Sequence, residues 1–183
     1  MERPERQIRA WLESFVIGLD LCPFARPLQH CDSLRICLSA ARSASDRHKV
    51  FLQELDLLQT SSEQELATTL LAFPDSLASF DDFLDFLDEA QALVEAAGLE
   101  GVIQLASFHP LYQFEGTQLD DPENFSNRSP YPILHFLREN MLTRSLTEFP
   151  QPELIPQRNI ATLEELGEDA LRSRWQKLFS DYF

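Results

Sequence analysis

Residues 68–108, TTLLAFPDSLASFDDFLDFLDEAQALVEAAGLEGVIQLASF, give the clearest indication of the fold. This stretch begins and ends with short apolar runs, at residues 68–73 and 102–108, which are typical of buried β-strands. Between them, Ser79-Phe-Asp-Asp82 resembles a capping box and opens a run with apolar side chains at helical spacing, which ends at Gly98. A strand, a helix and a second strand in this order predict a β-α-β unit.

The same alternation extends toward the N-terminus. Residues 34–40 alternate apolar and polar side chains like a half-buried strand, and residues 45–59 carry apolar side chains at helical spacing. Residues 4–19 have the pattern of an amphipathic N-terminal helix. Because the strands at 34–40, 68–73 and 102–108 are separated by helices, we predict an α/β fold with a β-α-β-α-β core and a small, mostly parallel sheet.

Two helical segments are expected near the C-terminus. The first begins near Pro132 (PILHFLRENMLTRSL), and the second begins at the capping box Thr162-Leu-Glu-Glu165 and breaks at Gly167. A proline-rich connector at residues 150–156 lies between them. No shift of composition marks a boundary, so we predict one α/β domain over residues 1–183.

The charge of the chain is acidic and unevenly distributed. The net charge is −15, and no Lys or Arg occurs between Lys49 and Arg128, where 16 Asp and Glu fall. Such a surface repels phosphate backbones and anionic lipids, so binding to nucleic acids or membranes is disfavoured. Two interpretations of the acidic surface stay open: a solubilising face, or a docking surface for a basic partner.

Cysteine usage and hydropathy point to the cytoplasm. The chain has three Cys, which is too few for a disulfide framework, and its first residues do not resemble a signal peptide. No apolar run approaches the roughly 20 residues that a membrane-spanning helix needs. We therefore expect a cytoplasmic protein with reduced thiols.

The residue types that carry chemistry concentrate in residues 107–139 (SFHPLYQFEGTQLDDPENFSNRSPYPILHFLRE). This segment begins at the carboxyl end of the third predicted strand, and ligands of parallel sheets bind beyond those ends. Loops held by a rigid scaffold are also where binding and catalytic groups concentrate. Topology and composition thus predict the functional site in the same place.

Two imidazoles and several carboxylates of this segment form a candidate site for zinc, manganese or iron(II). His135 and Glu139 share a face of the predicted helix, His109 lies just past the third strand, and Asp120 lies in the loop. The spacing matches no closed metal motif such as HExxH. In the alternative interpretation, the His side chains bond to the backbone and Asp120 or Asp121 caps a turn.

Two arginines form a candidate site for a phosphate or carboxylate. Arg128 lies in the loop and Arg138 shares a predicted helix face with His135, and helix N-terminal amides together with Arg bind anions. Polar neighbours complete the candidate ligand-binding set: Asn124, Asn127, Ser129 and Tyr131. The alternative is that an Arg ties its loop together by donating to carbonyls or to Asp120.

Cys22 is a candidate nucleophile in the segment Leu21-Cys-Pro-Phe-Ala25. Pro23 suits the first residue of a helical turn, so Cys22 is a potential N-cap, where backbone amides favour the thiolate. His109 or His135 would then be the base. The alternative is a buried, inert Cys.

The stretches FVIGLDLCPFA (15–25), TTLLAFP (68–74), QLASFHPLYQFEGT (104–117), DDPENFSNRSPYPILHFLRE (120–139) and IPQRNIATL (155–163) cover nearly the whole chain. In this order they resemble the DUF1415 family, which consists of bacterial proteins of unknown function. The resemblance implies no particular activity, but it marks LCPFA, FHP and NRSPYP…H…LRE as hallmark segments. Asp20 stands where the family usually has Asn.

Three functions are compatible with these residues. The first is an enzyme of hydrolase or transferase type that acts on a small anionic metabolite, with His109 and His135 as acid and base and Asp121 orienting them. The second is a non-catalytic module that binds a ligand or a protein with the same pocket and an acidic docking face. The third is structural, with the polar loop as a hydrogen-bonded plug that closes the end of the sheet. His30 and His48 are expected at the surface.

Overall fold

A four-stranded sheet lies at the centre of the computed structural model, which describes residues 2–28 and 31–180; His30 lies outside them. The strands are β1 (Leu34–Leu38), β2 (Thr68–Ala72), β3 (Ile103–Phe108) and β4 (Ile133–Arg138), in the order β1-β2-β4-β3. β1 is parallel to β2, whereas β4 is antiparallel to both β2 and β3. The predicted α/β fold is confirmed, and its sheet is mixed, because β4 runs against the other three strands.

In the part of the chain that the structure describes, five α-helices surround this sheet. They are α1 (Arg3–Trp11), α2 (Ala44–Thr60), α3 (Phe80–Ala96), α4 (Glu139–Glu148) and α5 (Ile155–Lys177), and a π-helical turn (Leu12–Ile17) continues α1. In the described part of the chain, none of the helices is long and apolar enough to cross a membrane.

The segment that begins near Pro132 is strand β4 and not a helix, which corrects the sequence prediction. Its apolar run, ILHFL, fits the spacing of a helix and equally that of a strand buried on both faces. The sheet decides between them, because β4 fills the position between β2 and β3 and bonds to both. A helix begins only at Glu139, so His135 and Glu139 do not share a helix face.

Each face of the sheet buries its own core, and β4 contributes to both. On the first face, Phe51 of α2 and Phe83 and Phe86 of α3 pack with Phe73, which follows β2, and with Phe136 of β4. On the second face, α1, the π-helical turn and α5 supply Ile8, Trp11, Phe15, Leu163 and Leu171. Successive strand residues point to opposite faces, so Leu134 belongs to the first core and Ile133 to the second.

The signals predicted at Ser79 and Gly167 are confirmed, whereas α5 begins at Ile155, so the prediction that the capping box at Thr162 opens it is wrong. The hydroxyl of Ser43, which was not among the predicted caps, caps α2 by accepting a hydrogen bond from the backbone N–H of Asp46 at 3.1 Å. Ser79 caps α3 in the same way, with the N–H of Asp82 at 3.4 Å. Gly167, with φ of 74°, interrupts α5 where the break was predicted, because its left-handed backbone cannot continue a helix.

Candidate functional site

His109 is fully buried at the end of β3, and both of its ring nitrogens are used by the fold. Nε2 donates to the carbonyl of Leu77 at 2.9 Å, and Nδ1 accepts from the N–H of Leu111 at 3.1 Å. The ring packs between Phe80 and Phe83, with centroid distances of 5.2 Å to each. Burial lowers the pKa of His109, so the ring is neutral. This histidine joins the start of the polar loop to the segment before α3.

Asn124 holds the polar loop together from its centre. Its side-chain oxygen accepts from the N–H of Phe114 and the hydroxyl of Thr117, both at 3.0 Å. Its side-chain nitrogen donates to the carbonyl of Gln118 at 2.7 Å. Because the side chain is fully buried and satisfied within the loop, its contacts are those of a structural residue.

Arg128 lies almost entirely inside the same loop. Its guanidinium donates to the carbonyl of Tyr112 at 3.3 Å and to the carbonyl of Leu119. The guanidinium carbon lies 4.6 Å from the centre of the Phe125 ring, which places the cation over the aromatic face. Burial lowers the pKa of Arg128, although an Arg stays charged. These contacts agree with the interpretation that Arg128 ties its loop together.

Asn127 covers one end of the outer edge of β3. Its side-chain nitrogen donates to the carbonyl of Ser107 at 3.1 Å, and its backbone carbonyl accepts from the N–H of His109 at 3.1 Å. Nearby, the hydroxyl of Ser129 donates to the carbonyl of Tyr131. The hydroxyl of Tyr131 donates to the side chain of Gln7 in α1. All three of these proposed ligand-binding residues thus have hydrogen-bond partners within the fold.

Arg138 lies at the end of β4 and joins it to the C-terminal end of α2. Its guanidinium donates to the carbonyls of Leu58 at 2.7 Å, Ser61 at 2.8 Å and Leu66 at 2.9 Å. Those carbonyls belong to the last turn of α2 and to the connection to β2, where helix carbonyls lack partners of their own. The geometry is that of a helix C-terminal clamp.

The candidate metal ligands are not brought together. Asp120 pairs with Arg172 of α5, and a carboxylate oxygen of Asp121 accepts from the N–H of Gln118 at 2.7 Å, as expected for a turn cap. Glu139 lies at the opposite end of β4 from the loop. Among the residues that the structure describes, no three His, Cys, Asp or Glu side chains are grouped so as to hold a metal ion. A metal site built from His109, Asp120, His135 and Glu139 is therefore not assembled.

A cavity of about 190 Å³ lies on the second face of the sheet, and sequence reasoning did not anticipate it. Its walls come from the N-terminal segment, the sheet and α4, and they are almost wholly apolar; they include Trp11, Val16, Phe24, Leu70, Phe108 and Leu142. In the sequence these residues read as ordinary core positions. The sequence did identify two of the residues that line this cavity, Cys22 and His135, as candidate site residues.

His135 lines the cavity together with Cys22, Thr68, Arg138 and Ser145, and its hydrogen bond to Thr68 defines its tautomer. The Thr68 hydroxyl lies 2.6 Å from the carbonyl of Phe136, which can only accept, so the hydroxyl donates there. Nε2 of His135, 2.7 Å from the same hydroxyl, must then donate to it. Nδ1 is consequently unprotonated, and no group among residues 2–28 and 31–180 hydrogen-bonds to it. Burial lowers the pKa of His135 to about 4, so the ring is neutral at physiological pH.

Cys22 lies on the same cavity in a turn that follows the N-terminal segment. Burial raises the pKa of its thiol, and hydrogen bonds from the backbone N–H groups of Phe24 and Ala25 oppose this only in part. The amide contacts resemble those expected of an N-cap, but the net effect is a neutral thiol. Asp20, just before it, has a left-handed φ of 54°, which Asn and Asp tolerate better than most residues. That backbone explains why either residue suits the position.

Comparison with known proteins gives one match. A family model described as "Protein of unknown function (DUF1415)" matches residues 3–173. No curated protein matches the chain. No solved structure matches it either.

Proposed function

This chain belongs to the DUF1415 family, and we propose that it binds a small, neutral, largely apolar molecule with one hydrogen-bond donor in the cavity beside His135. The observation that carries the proposal is the Nδ1 acceptor of His135, which Thr68 holds in one tautomer on a mostly apolar wall that also includes Arg138 and Ser145. Ligand pockets are typically apolar with a few well-placed polar groups that orient the ligand. The proposal corresponds to a binding module.

The volume of the cavity limits the size of the ligand. An apolar cavity of about 150 Å³ is known to hold benzene. A volume of about 190 Å³ therefore suits a single substituted ring or a short branched chain. The donor of the ligand, such as a hydroxyl or an N–H, would bond to Nδ1 of His135.

Charge favours a neutral ligand over the anionic metabolite that the sequence suggested. The guanidinium groups of Arg128 and Arg138 already donate to backbone carbonyls. His135 is neutral, because its pKa is about 4. An anion that entered an apolar cavity without a free positive partner would lose its hydration without compensation. An enzyme that acts on an anionic metabolite therefore has less support than binding of a neutral molecule.

Thermal unfolding with matched small probes tests the proposal. Phenol carries a ring and a donor, toluene lacks the donor, and benzoate is an anion of similar shape. We expect phenol to raise the melting temperature with a Kd on the order of 1 mM, toluene to act more weakly, and benzoate to have no effect. An equal effect of all three compounds, or none from phenol, would refute the proposal.

A matched pair of variants locates the binding. Ala106 lines the cavity, so Ala106→Leu fills it and should abolish the phenol effect. Ala96 is exposed on α3, and Ala96→Leu makes the same change away from the cavity, so it should leave the phenol effect intact. In His135→Phe, which lacks the acceptor, phenol should lose its advantage over toluene.

A second candidate function is thiol catalysis, because Cys22 and His135 line the same cavity. In this reaction the Cys22 thiol would give its proton to Nδ1 of His135 while sulfur attacks an ester carbonyl. The leaving alkoxide would take that proton and depart as an alcohol, and water would hydrolyse the resulting thioester. The raised pKa of the thiol makes this the weaker candidate.

Mass spectrometry after incubation with p-nitrophenyl acetate tests this second candidate. Thiol catalysis requires acetyl transfer to Cys22 and turnover that is lost in Cys22→Ser. If Cys22 stays unmodified and wild-type turnover equals that of Cys22→Ser, the cavity is a binding site only.

A further inference from the structure

The outer edge of β3 is the starting point for an inference that is independent of the cavity. β3 is an edge strand, because the order of the sheet is β1-β2-β4-β3. The N–H of Glu139 donates to the carbonyl of Val102, so Val102 and every second residue after it bond toward β4. The backbone groups of Ile103, Leu105 and Ser107 therefore point away from the sheet.

The fold covers both ends of this edge and leaves its middle open. At one end, the N–H of Ile103 donates to the carbonyl of Leu99 at 3.0 Å. At the other end, the side chain of Asn127 donates to the carbonyl of Ser107. Within the described residues, no hydrogen bond engages the outward N–H and carbonyl of Leu105, the carbonyl of Ile103 or the N–H of Ser107. Four backbone groups are thus available to one short strand.

A strongly acidic groove runs along this open edge. The groove has a volume of about 610 Å³ and lies between β3 and α3. Its lining contains four carboxylates and, in the described part of the chain, no Lys or Arg; the carboxylates belong to Asp88, Glu95, Glu100 and Glu139. Three of these residues lie in the long stretch from 50 to 127 that lacks basic residues. The charge of the groove therefore complements a positively charged partner.

We propose that a partner protein docks here by adding an extended, basic segment to the edge of β3 as an antiparallel strand. The four open backbone groups would bond to the segment, as in other complexes formed by strand addition. In an antiparallel pair, residues that face each other point their side chains to the same face of the sheet. Ile103 and Leu105 point toward α3, so the pairing residues of the segment would place Lys or Arg beside Asp88 and Glu95.

The same charges exclude a second copy of this chain as the occupant. Two β3 edges that paired with each other would bring two acidic grooves together, and like charges destabilise such contacts. Charged side chains along an edge strand are a common protection against self-association. A basic partner removes the repulsion that a second copy would meet.

Fluorescence anisotropy with a labelled peptide of alternating Lys or Arg and Val tests the proposal on the full chain. We expect binding with a Kd below about 1 mM at low salt, and weaker binding as salt increases. A peptide with Glu in place of each basic residue should not bind. N-methylation of the basic residues should weaken binding roughly tenfold or more, because it blocks their backbone donors, whereas N-methylation of the Val residues should not.

Paired charge variants complete the test. The double variant Glu95→Gln and Glu100→Gln should weaken binding about fivefold. The control is Glu13→Gln with Glu164→Gln, which removes the same charge at exposed positions outside the groove and should leave binding unchanged. The proposal is overturned if the basic peptide does not bind, if both N-methylated peptides bind equally, or if sedimentation shows that the protein dimerises through this edge.

Discussion

The hydroxyl of Thr68 in β2 and Nε2 of His135 in β4 lie 2.7 Å apart, across the central strand pair of the sheet. The same hydroxyl donates to the carbonyl of Phe136 at 2.6 Å, which forces the imidazole to act as the donor in its own bond to Thr68. One buried hydroxyl thereby determines which nitrogen of His135 can accept a hydrogen bond from a ligand. The proposed binding site depends on this tautomer.

Two adjacent threonines provide a matched test of that hydroxyl. Thr68→Val leaves the Nε2 donor of His135 without its partner, so we expect a loss of about 1–3 kcal/mol in the free energy of unfolding. Thr69 is fully buried, and its hydroxyl has no partner in the described residues, so Thr69→Val should be neutral or stabilising by up to about 1 kcal/mol. Urea denaturation of both variants measures the difference. Equal effects of the two changes would contradict the hydrogen-bond assignment.

Stability should fall in mild acid because of His135. The pKa of His135 is about 4 in the folded protein and about 6.5 in the unfolded chain, so the unfolded state binds more protons between these values. This contribution to the free energy of unfolding is complete above about pH 6.5 and is lost as the pH falls toward 4. The loss at pH 5 is about 2 kcal/mol. Denaturation across this range should show a flatter profile for His135→Gln than for the wild type. Parallel profiles would mean that His135 does not titrate as described.

His109 should prove essential for stability. His109→Ala removes the ring between Phe80 and Phe83 and leaves the carbonyl of Leu77 and the N–H of Leu111 unpaired. We expect a loss of about 3 kcal/mol in the free energy of unfolding. The exposed control Leu111→Ala keeps the backbone N–H and should change stability by less than about 0.5 kcal/mol. A His109→Ala protein as stable as wild type would return His109 to the list of candidate catalytic residues.

Arg138→Lys should be destabilising even though it conserves the charge. Nη2 of the guanidinium donates to three carbonyls and Nε donates to one of them as well, so the single nitrogen of an ammonium group cannot replace both donors. We expect a loss of about 1–3 kcal/mol, which thermal unfolding would measure. Arg26, which is exposed near the cavity turn, is the control, and Arg26→Lys should have little effect. If Arg138→Lys is neutral and inorganic phosphate stabilises the wild type, the anion-site interpretation is favoured instead.

The three cysteines should differ in reactivity. Cys31 is exposed, whereas burial raises the pKa of Cys22 and raises that of Cys37 to about 11. Iodoacetamide at neutral pH should therefore modify Cys31 first, and peptide mapping by mass spectrometry would show the order. Phenol should slow the modification of Cys22 further without changing that of Cys31. Faster modification of Cys22 than of Cys31 would support thiol catalysis.

Local patterns were sufficient to predict strands β1, β2 and β3, the helices between them, the cap at Ser79 and the break at Gly167, because periodicity, capping and turn chemistry act within a few residues. The sequence also singled out His135 and Cys22. Tertiary structure alone decided that residues 133–138 form a strand, since their apolar run fits either structure until β2 and β3 provide partners. Hydrogen-bond partners far along the chain likewise decided the role of the polar residues. His109 hydrogen-bonds to the carbonyl of Leu77, 32 residues earlier in the sequence, and Arg138 to the carbonyl of Leu58, 80 residues earlier. Composition could therefore identify these side chains as unusual but could not show that the fold itself uses them.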